Sequence, residues 1–196
     1  VVFNDTSSCR FLESGSFKAL LGTPIVSGPT DTQVSREERD DAIILRGSHD
    51  GYADRFRVVH QRALKLSRDG SRLDGEDLFV STDGDMIPQN VADEFAVRFH
   101  LHPTVKANKL TDGHGAMLML PNREVWTFNA YEDRVEIEES VYLSGSDGPR
   151  RAVQMVIYGR ARKIPRVHWS LSLANAQGSG GTRRRGEEPQ LPLAAP

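Results

Sequence analysis

Two short segments carry residue types that could do chemistry. The first is Arg98-Phe99-His100-Leu101-His102-Pro103. In an extended strand alternate side chains share a face, so Arg98, His100 and His102 are expected on one side, and Val97, Phe99 and Leu101 on the other, toward a core. Two imidazoles about 7 Å apart along one strand can both approach a metal ion or an acidic sugar. The plainer reading is a polar outer face that holds two histidines. The second segment is Ser48-His49-Asp50-Gly51-Tyr52. Gly51 permits a positive φ, so a turn or bulge is expected that sends His49, Asp50 and Tyr52 in directions a regular strand does not offer. A histidine beside an aspartate can be a metal ligand or an oriented base. It can equally mark a hairpin corner in which Asp50 caps the turn.

The remaining candidates read as structural. His60 lies on a strand whose Val59 is expected in the core, and is taken as a satisfied histidine. His114 falls at a loop tip, and His168 reads as the solvent-facing neighbour of a core Trp169. Glu136, Glu138 and Glu139 suggest a charged strand face; paired acids can hydrolyse glycosides, but neighbouring acids on a strand are more often simply exposed. The single cysteine, Cys9, has no nearby histidine to activate it and cannot form an internal disulfide. No Gly-rich phosphate loop, Gly-x-Ser-x-Gly elbow or cysteine-pair zinc motif occurs.

The elements that must position these residues are strands. Residues 41–46, 57–67, 72–80, 94–102, 116–120, 125–128, 134–143, 150–160 and 166–173 alternate or form short apolar runs, with Gly, Asp, Asn and Pro between them. The Asp69-Gly70 pair between two such runs is a hairpin signal. Strands recurring at intervals of roughly ten residues are the spacing of an antiparallel β-sandwich or barrel. Only residues 11–21 and 31–41 carry a weak helical reading. An all-β antiparallel sandwich over residues 1–176 is expected, followed by a disordered tail over 177–196, where Gly, Ser, Arg, Pro and Glu leave no apolar period. Because the chain opens on Val1-Val2-Phe3, already strand-like, it is expected to be cut from a longer protein.

Composition narrows the partners. The 196 residues carry 25 basic and 27 acidic side chains, a net charge of −2, which gives no electrostatic reason to expect nucleic acid. No apolar run approaches the ~18 residues that span a bilayer, so membrane insertion is not expected.

Taken in order, Val1-Val2-Phe3-Asn4-Asp5-Thr6-Ser7-Ser8, Ser48-His49-Asp50-Gly51-Tyr52, Val59-His60-Gln61-Arg62, Arg98-Phe99-His100-Leu101-His102-Pro103, Trp126-Thr127-Phe128 and Glu138-Glu139-Ser140-Val141-Tyr142 resemble the C-terminal part of heparinase II/III-like proteins. The resemblance runs from about Val1 to Leu173. It implies a bacterial polysaccharide lyase with an N-terminal α/α toroid and a C-terminal sandwich, periplasmic by analogy, that cleaves an acidic polysaccharide by β-elimination at a uronic acid. The toroid would supply a Tyr and an Asn or His, and a further catalytic His would fall upstream of Val1, so no catalytic residue is expected in this chain. Substrate contacts are implied at Arg98, His100, His102 and Tyr52. A structural divalent metal, most simply zinc, is implied at His49 with Glu13 or Asp5 as the acidic ligand; His100 and His102 would line the cleft or complete that site.

Two other classes stay open. One is a non-catalytic carbohydrate-binding or scaffolding sandwich. The other is a metal-dependent enzyme centred on His49, His100 and His102.

Overall fold

The computed structural model describes residues 1–12, 25–84, 87–144 and 148–174. In chain order the elements are β1 (Val2–Phe3), β2 (Arg10–Phe11), β3 (Ile25–Ser27), β4 (Thr32–Glu38), β5 (Ala42–Tyr52), a single helical turn α1 (Ala53–Phe56), β6 (Val58–Ser67), β7 (Arg72–Ser81), β8 (Glu94–His100), β9 (Lys106–Lys109), β10 (Gly115–Met119), β11 (Val125–Asn129), β12 (Val135–Ser144), β13 (Gly148–Arg160) and β14 (Arg166–Leu173). The alternation read from the sequence becomes strand in every segment named above.

The strands form an eight-stranded sheet, β4-β5-β6-β7-β14-β11-β10-β9, a four-stranded sheet, β1-β8-β13-β12, and the small β2-β3 pair. All pairings are antiparallel. Between the two larger sheets lies one core containing Phe3, Val58, Phe79, Phe95, Val97, Phe128, Met155, Ile157 and Trp169. Rings lock the layers together: Phe79 stacks on Phe95 at 4.4 Å, and Phe99 meets Trp169 edge-on at 4.8 Å. Two sheets packed face to face over one shared core make a sandwich.

Gly75 sits in the middle of β7, where a glycine is otherwise unfavourable. The indole of Trp169 lies directly over it, and a Cβ there would come within 2.1 Å of Trp169 Cζ2. The absence of a side chain is what lets the ring lie flat on the sheet.

Residues 31–41 differ from their weak helical reading. They contain β4, an edge strand exposed on both faces, so it shows no apolar period and takes its conformation from the ladder with β5. Of the 11–21 segment only Phe11, in β2, and Leu12 are described. The expected tail over 177–196 lies outside the described residues. His102 does not continue β8, which ends at His100. Pro103 follows it, and a turn closes from Val105 N–H to the His102 carbonyl at 2.9 Å.

Candidate functional site

The Ser48–Tyr52 segment forms the end of β5, where the register with β6 shifts between His49 and Tyr52. Gly51 is not among the positive-φ glycines. It is required by crowding, since a Cβ would meet Ser8 Cβ at 2.8 Å and the Ser8 carbonyl at 2.9 Å. Asp50 does not cap its own turn. It accepts from the backbone N–H and the hydroxyl of Thr30, at 2.8 and 2.7 Å, and ties down the chain that leads into β4.

His49 begins a buried polar chain. Its Nε2 lies 3.2 Å from His60 Nδ1, and His60 Nε2 lies 2.7 Å from Asp77 Oδ1. Asp77 also accepts from Arg62 through Nε at 2.8 Å and Nη2 at 3.0 Å, and from Trp169 Nε1 at 3.0 Å. His60 is 6% exposed and Asp77 is fully buried. Burial pushes the Asp77 carboxyl up, but the His60 hydrogen bond and the Arg62 guanidinium outweigh it and hold the pKa at about 2.

That ionised carboxylate fixes the protons. It can only accept, so His60 carries its proton on Nε2 and accepts at Nδ1 from His49 Nε2–H. His49 Nδ1 in turn accepts from the Gly51 amide at 3.2 Å. His49 is held neutral, its pKa lowered to about 4, first by burial and then by the neighbouring His60. The relay ends at a backbone amide on one side and a clamped carboxylate on the other. It therefore orients the β5 bulge and has no free nitrogen to offer a reacting group.

Tyr52 is fully buried. Its ring packs on Phe3 and His49, and its hydroxyl donates to the Val1 carbonyl at 2.9 Å. Burial raises its pKa to about 12. The implied substrate contact at Tyr52 is thus not available in this arrangement: the side chain supports the core beneath the bulge.

The zinc implied at His49 meets the same difficulty. Among the described residues no three His, Cys, Asp or Glu side chains group so as to hold a metal ion. Both nitrogens of His49 are engaged, and Glu13 lies outside the described residues. Asp5, the alternative acidic ligand, sits in the β1–β2 turn with φ at 51° and joins no such group.

The other segment lies on the outer face of the four-stranded sheet. Arg98 and His100 share that face, as alternation requires. Arg98 Nη1 donates to Glu138 Oε2 at 3.1 Å, and its guanidinium lies 5.6 Å from the Tyr158 ring centre. His100 Nδ1 meets Ser140 Oγ at 2.9 Å. His102 reaches the same side from its turn: its ring stands edge-on to Tyr142 at 5.0 Å, while Nδ1 pairs with the Thr104 hydroxyl at 2.7 Å. His49 belongs to the space between the sheets, so the three-histidine centre built on His49, His100 and His102 is not assembled.

Sequence reasoning missed Asp77, Arg62 and Trp169 as one unit, and also Glu76. Glu76 is fully buried on the opposite face of β7, with His168 Nδ1 at 3.3 Å, so His168 is a half-buried partner and not a solvent-facing bystander. The available signal was Asp74-Gly75-Glu76-Asp77 within an otherwise apolar strand, since buried carboxylates demand cationic or N–H partners across the ladder.

The family model described as "Heparinase II/III-like, C-terminal" matches residues 1–170. A curated relative, the FtsZ-localized protein C of Caulobacter vibrioides, is 29% identical over 176 residues, covering 87% of this chain and 30% of that protein. Among solved structures, the heparan sulfate lyase HepC of Pedobacter heparinus superposes with a TM-score of 0.61 at 9% identity, over 76% of this chain and 23% of that one. A heparinase III structure gives 0.56 at 12% identity, over 76% and 22%. At such identities the solved structures speak for the fold alone. The chain spans under a third of the length of these proteins.

Proposed function

This chain belongs to the heparinase II/III-like family, as its C-terminal domain, and from that premise we propose that it is the β-sandwich of a polysaccharide lyase cleaving a uronic-acid-containing polysaccharide by β-elimination. In that reaction a group neutralising the uronate carboxylate acidifies the neighbouring C5 proton. A base removes the proton, and an acid protonates the leaving glycosidic oxygen. The sandwich is a wall of the cleft, presenting Arg98, His100 and His102, while the working base and acid come from an α/α toroid outside this chain.

The observation that supports this division of labour is the closed His49–His60–Asp77 relay. Its nitrogens are all committed to the fold, which suits a support and not a base. The test is to incubate the 196-residue chain with heparan sulfate, alginate and polygalacturonate and follow the ultraviolet absorbance of unsaturated uronate products. No rise is expected, and turnover by this chain alone overturns the reading.

A second reading is a non-catalytic binding or scaffolding sandwich. It is favoured by the curated relative, which shares more identity with this chain than the lyase structures do and carries a name describing its localisation to FtsZ. It is distinguished by a longer polypeptide that binds a partner yet turns over none of the three polymers.

A further inference from the structure

A strand at the edge of a sheet leaves its outward N–H and C=O groups unpaired, and proteins guard such edges with charge, shortness or cover. The edges of the two larger sheets are β4, β9, β1 and β12. Among the described residues most of this edge is guarded. Strand β4 carries Arg36, Glu37 and Glu38, β9 has Lys106 and Lys109 at its ends, and β1 is two residues long. The first half of β12 holds Glu136, Glu138 and Glu139, and β9 lies against it through Lys109 Nζ and Glu136 Oε2 at 2.8 Å. The second half differs. Val141-Tyr142-Leu143 carries no charge, and Val141 and Leu143 are 58% and 79% exposed.

The phase of the ladder decides which groups this edge offers. Leu101 N–H donates to the Val153 carbonyl at 3.0 Å. Val153 therefore turns its backbone toward β8 and exchanges no hydrogen bonds with Glu139, which stands opposite it on β12. By alternation the Arg151–Val141 and Pro149–Leu143 pairs belong to the same class. Pro149, which has no N–H to give, fits that assignment. The backbone N–H and C=O groups of Val141 and Leu143 thus point away from β13, outward from the sheet. Their side chains share the inner side of the hairpin with Val153, while Tyr142 stands on the outer side against the His102 ring.

We propose that this half-strand pairs, antiparallel, with the same half-strand of a second copy about a two-fold axis at Tyr142. Charge selects that register. A symmetric antiparallel pair keeps each side chain on its own face only when the axis passes through a residue. An axis at Glu136, Glu138 or Glu139 sets a carboxylate against its own copy, and one at Ile137 sets Glu136 against Glu138. Axes at Ser140 or Val141 oppose Glu139 to Val141 or Leu143 of the second copy, and one at Leu143 matches Val141 with Gly145. With the axis at Tyr142, Val141 faces Leu143 of the second copy and exchanges both backbone hydrogen bonds with it, twice over by symmetry. The aliphatic side chains of both copies then meet on the inner side, and no charged residue lies within the paired stretch. The two four-stranded sheets become one continuous sheet. The contact is short, well below the ~800 Å² per partner of standard interfaces, so the dimer is weaker than micromolar.

The test is sedimentation equilibrium of the 196-residue chain from about 10 μM to about 1 mM, where a weak dimer forms and dissociates. A monomer–dimer equilibrium is expected across that range. Leu143→Pro removes only an outward N–H and leaves the β12–β13 ladder whole. It is expected to weaken dimerisation more than about tenfold, since each copy loses a ladder donor. Val141→Lys is expected to weaken it likewise, and decides the matter if Leu143→Pro does not fold. In a Cys9→Ser background, Tyr142→Cys is expected to form an intermolecular disulfide on mild oxidation. Residues facing each other at the axis are a close pair, with Cα atoms about 4.5 Å apart. Glu138→Cys is expected to form none. A monomer at every concentration, a dimer that the folded variants leave unchanged, or cross-linking through Glu138→Cys and not Tyr142→Cys overturns the proposal. The pairing does not rest on the elimination chemistry above, and its failure leaves that reading standing.

Discussion

His60 and Asp77 meet across β6 and β7 with Nε2 and Oδ1 2.7 Å apart, both buried between the sheets. Through this contact a carboxylate on β7 determines the tautomer of two histidines and, by way of His49, the geometry of the bulge that ends β5. The carboxylate tolerates burial because it has donors from His60, Arg62 and Trp169.

Replacing Asp77 with Ala leaves the donors of His60 and Trp169, both buried, without their acceptor and removes the carboxylate that pairs with Arg62. A loss of about 3–5 kcal/mol is expected, the range for breaking one side of a buried ion pair. Urea unfolding checks it, with a lower midpoint at an unchanged slope. A midpoint within error of the parent would mean that the network does not stabilise the sandwich.

Gly75→Ala places a methyl group where Trp169 lies and is expected to cost about 1–3 kcal/mol by overpacking. In a Trp169→Leu background the same substitution is expected to cost much less. A double-mutant cycle measures the difference, and additivity of the two changes would contradict the close approach of indole to strand.

His49 is pushed down to about 4 from an ordinary 6.5, by burial and by His60. The unfolded chain therefore takes up a proton before the folded one does. The stabilising contribution of neutral His49 is complete above about pH 6.5 and is lost progressively as pH falls toward 4. His49→Gln is expected to flatten this part of the stability–pH curve in thermal unfolding.

Asp133 runs the other way. Burial, reinforced by Glu132, raises its carboxyl to about 6 from 3.8, so the folded state holds a proton that the unfolded state has released. Its contribution is fully present below about pH 3.8 and is lost as pH rises through 6. Asp133→Asn is expected to raise the melting temperature at pH 7 and to have little effect near pH 4.

The fold class was legible because the alternation of residues 58–67 and the Asp69-Gly70 turn leave few alternatives, and β6, β7 and the hairpin between them form where that pattern places them. Strand β4 was hidden because an exposed edge strand such as Thr32–Glu38 needs no apolar face. The functional residues were legible as types but not as constellations. Nothing local says that His60 faces Asp77, since that contact depends on the β6–β7 register. Nor does the His-x-His spacing show that Pro103 and the turn behind it take His102 out of the strand.

The central claim, that this sandwich supports a lyase whose acid and base lie elsewhere, is tested most directly on a longer polypeptide in which the proposed α/α toroid is joined ahead of this chain. Assayed on heparan sulfate, alginate and polygalacturonate, it is expected to generate unsaturated uronate products from at least one polymer, while the 196-residue chain generates none. Absence of product from the longer polypeptide on every uronate polymer, with partner binding intact, would contradict the account and leave the scaffolding reading in its place.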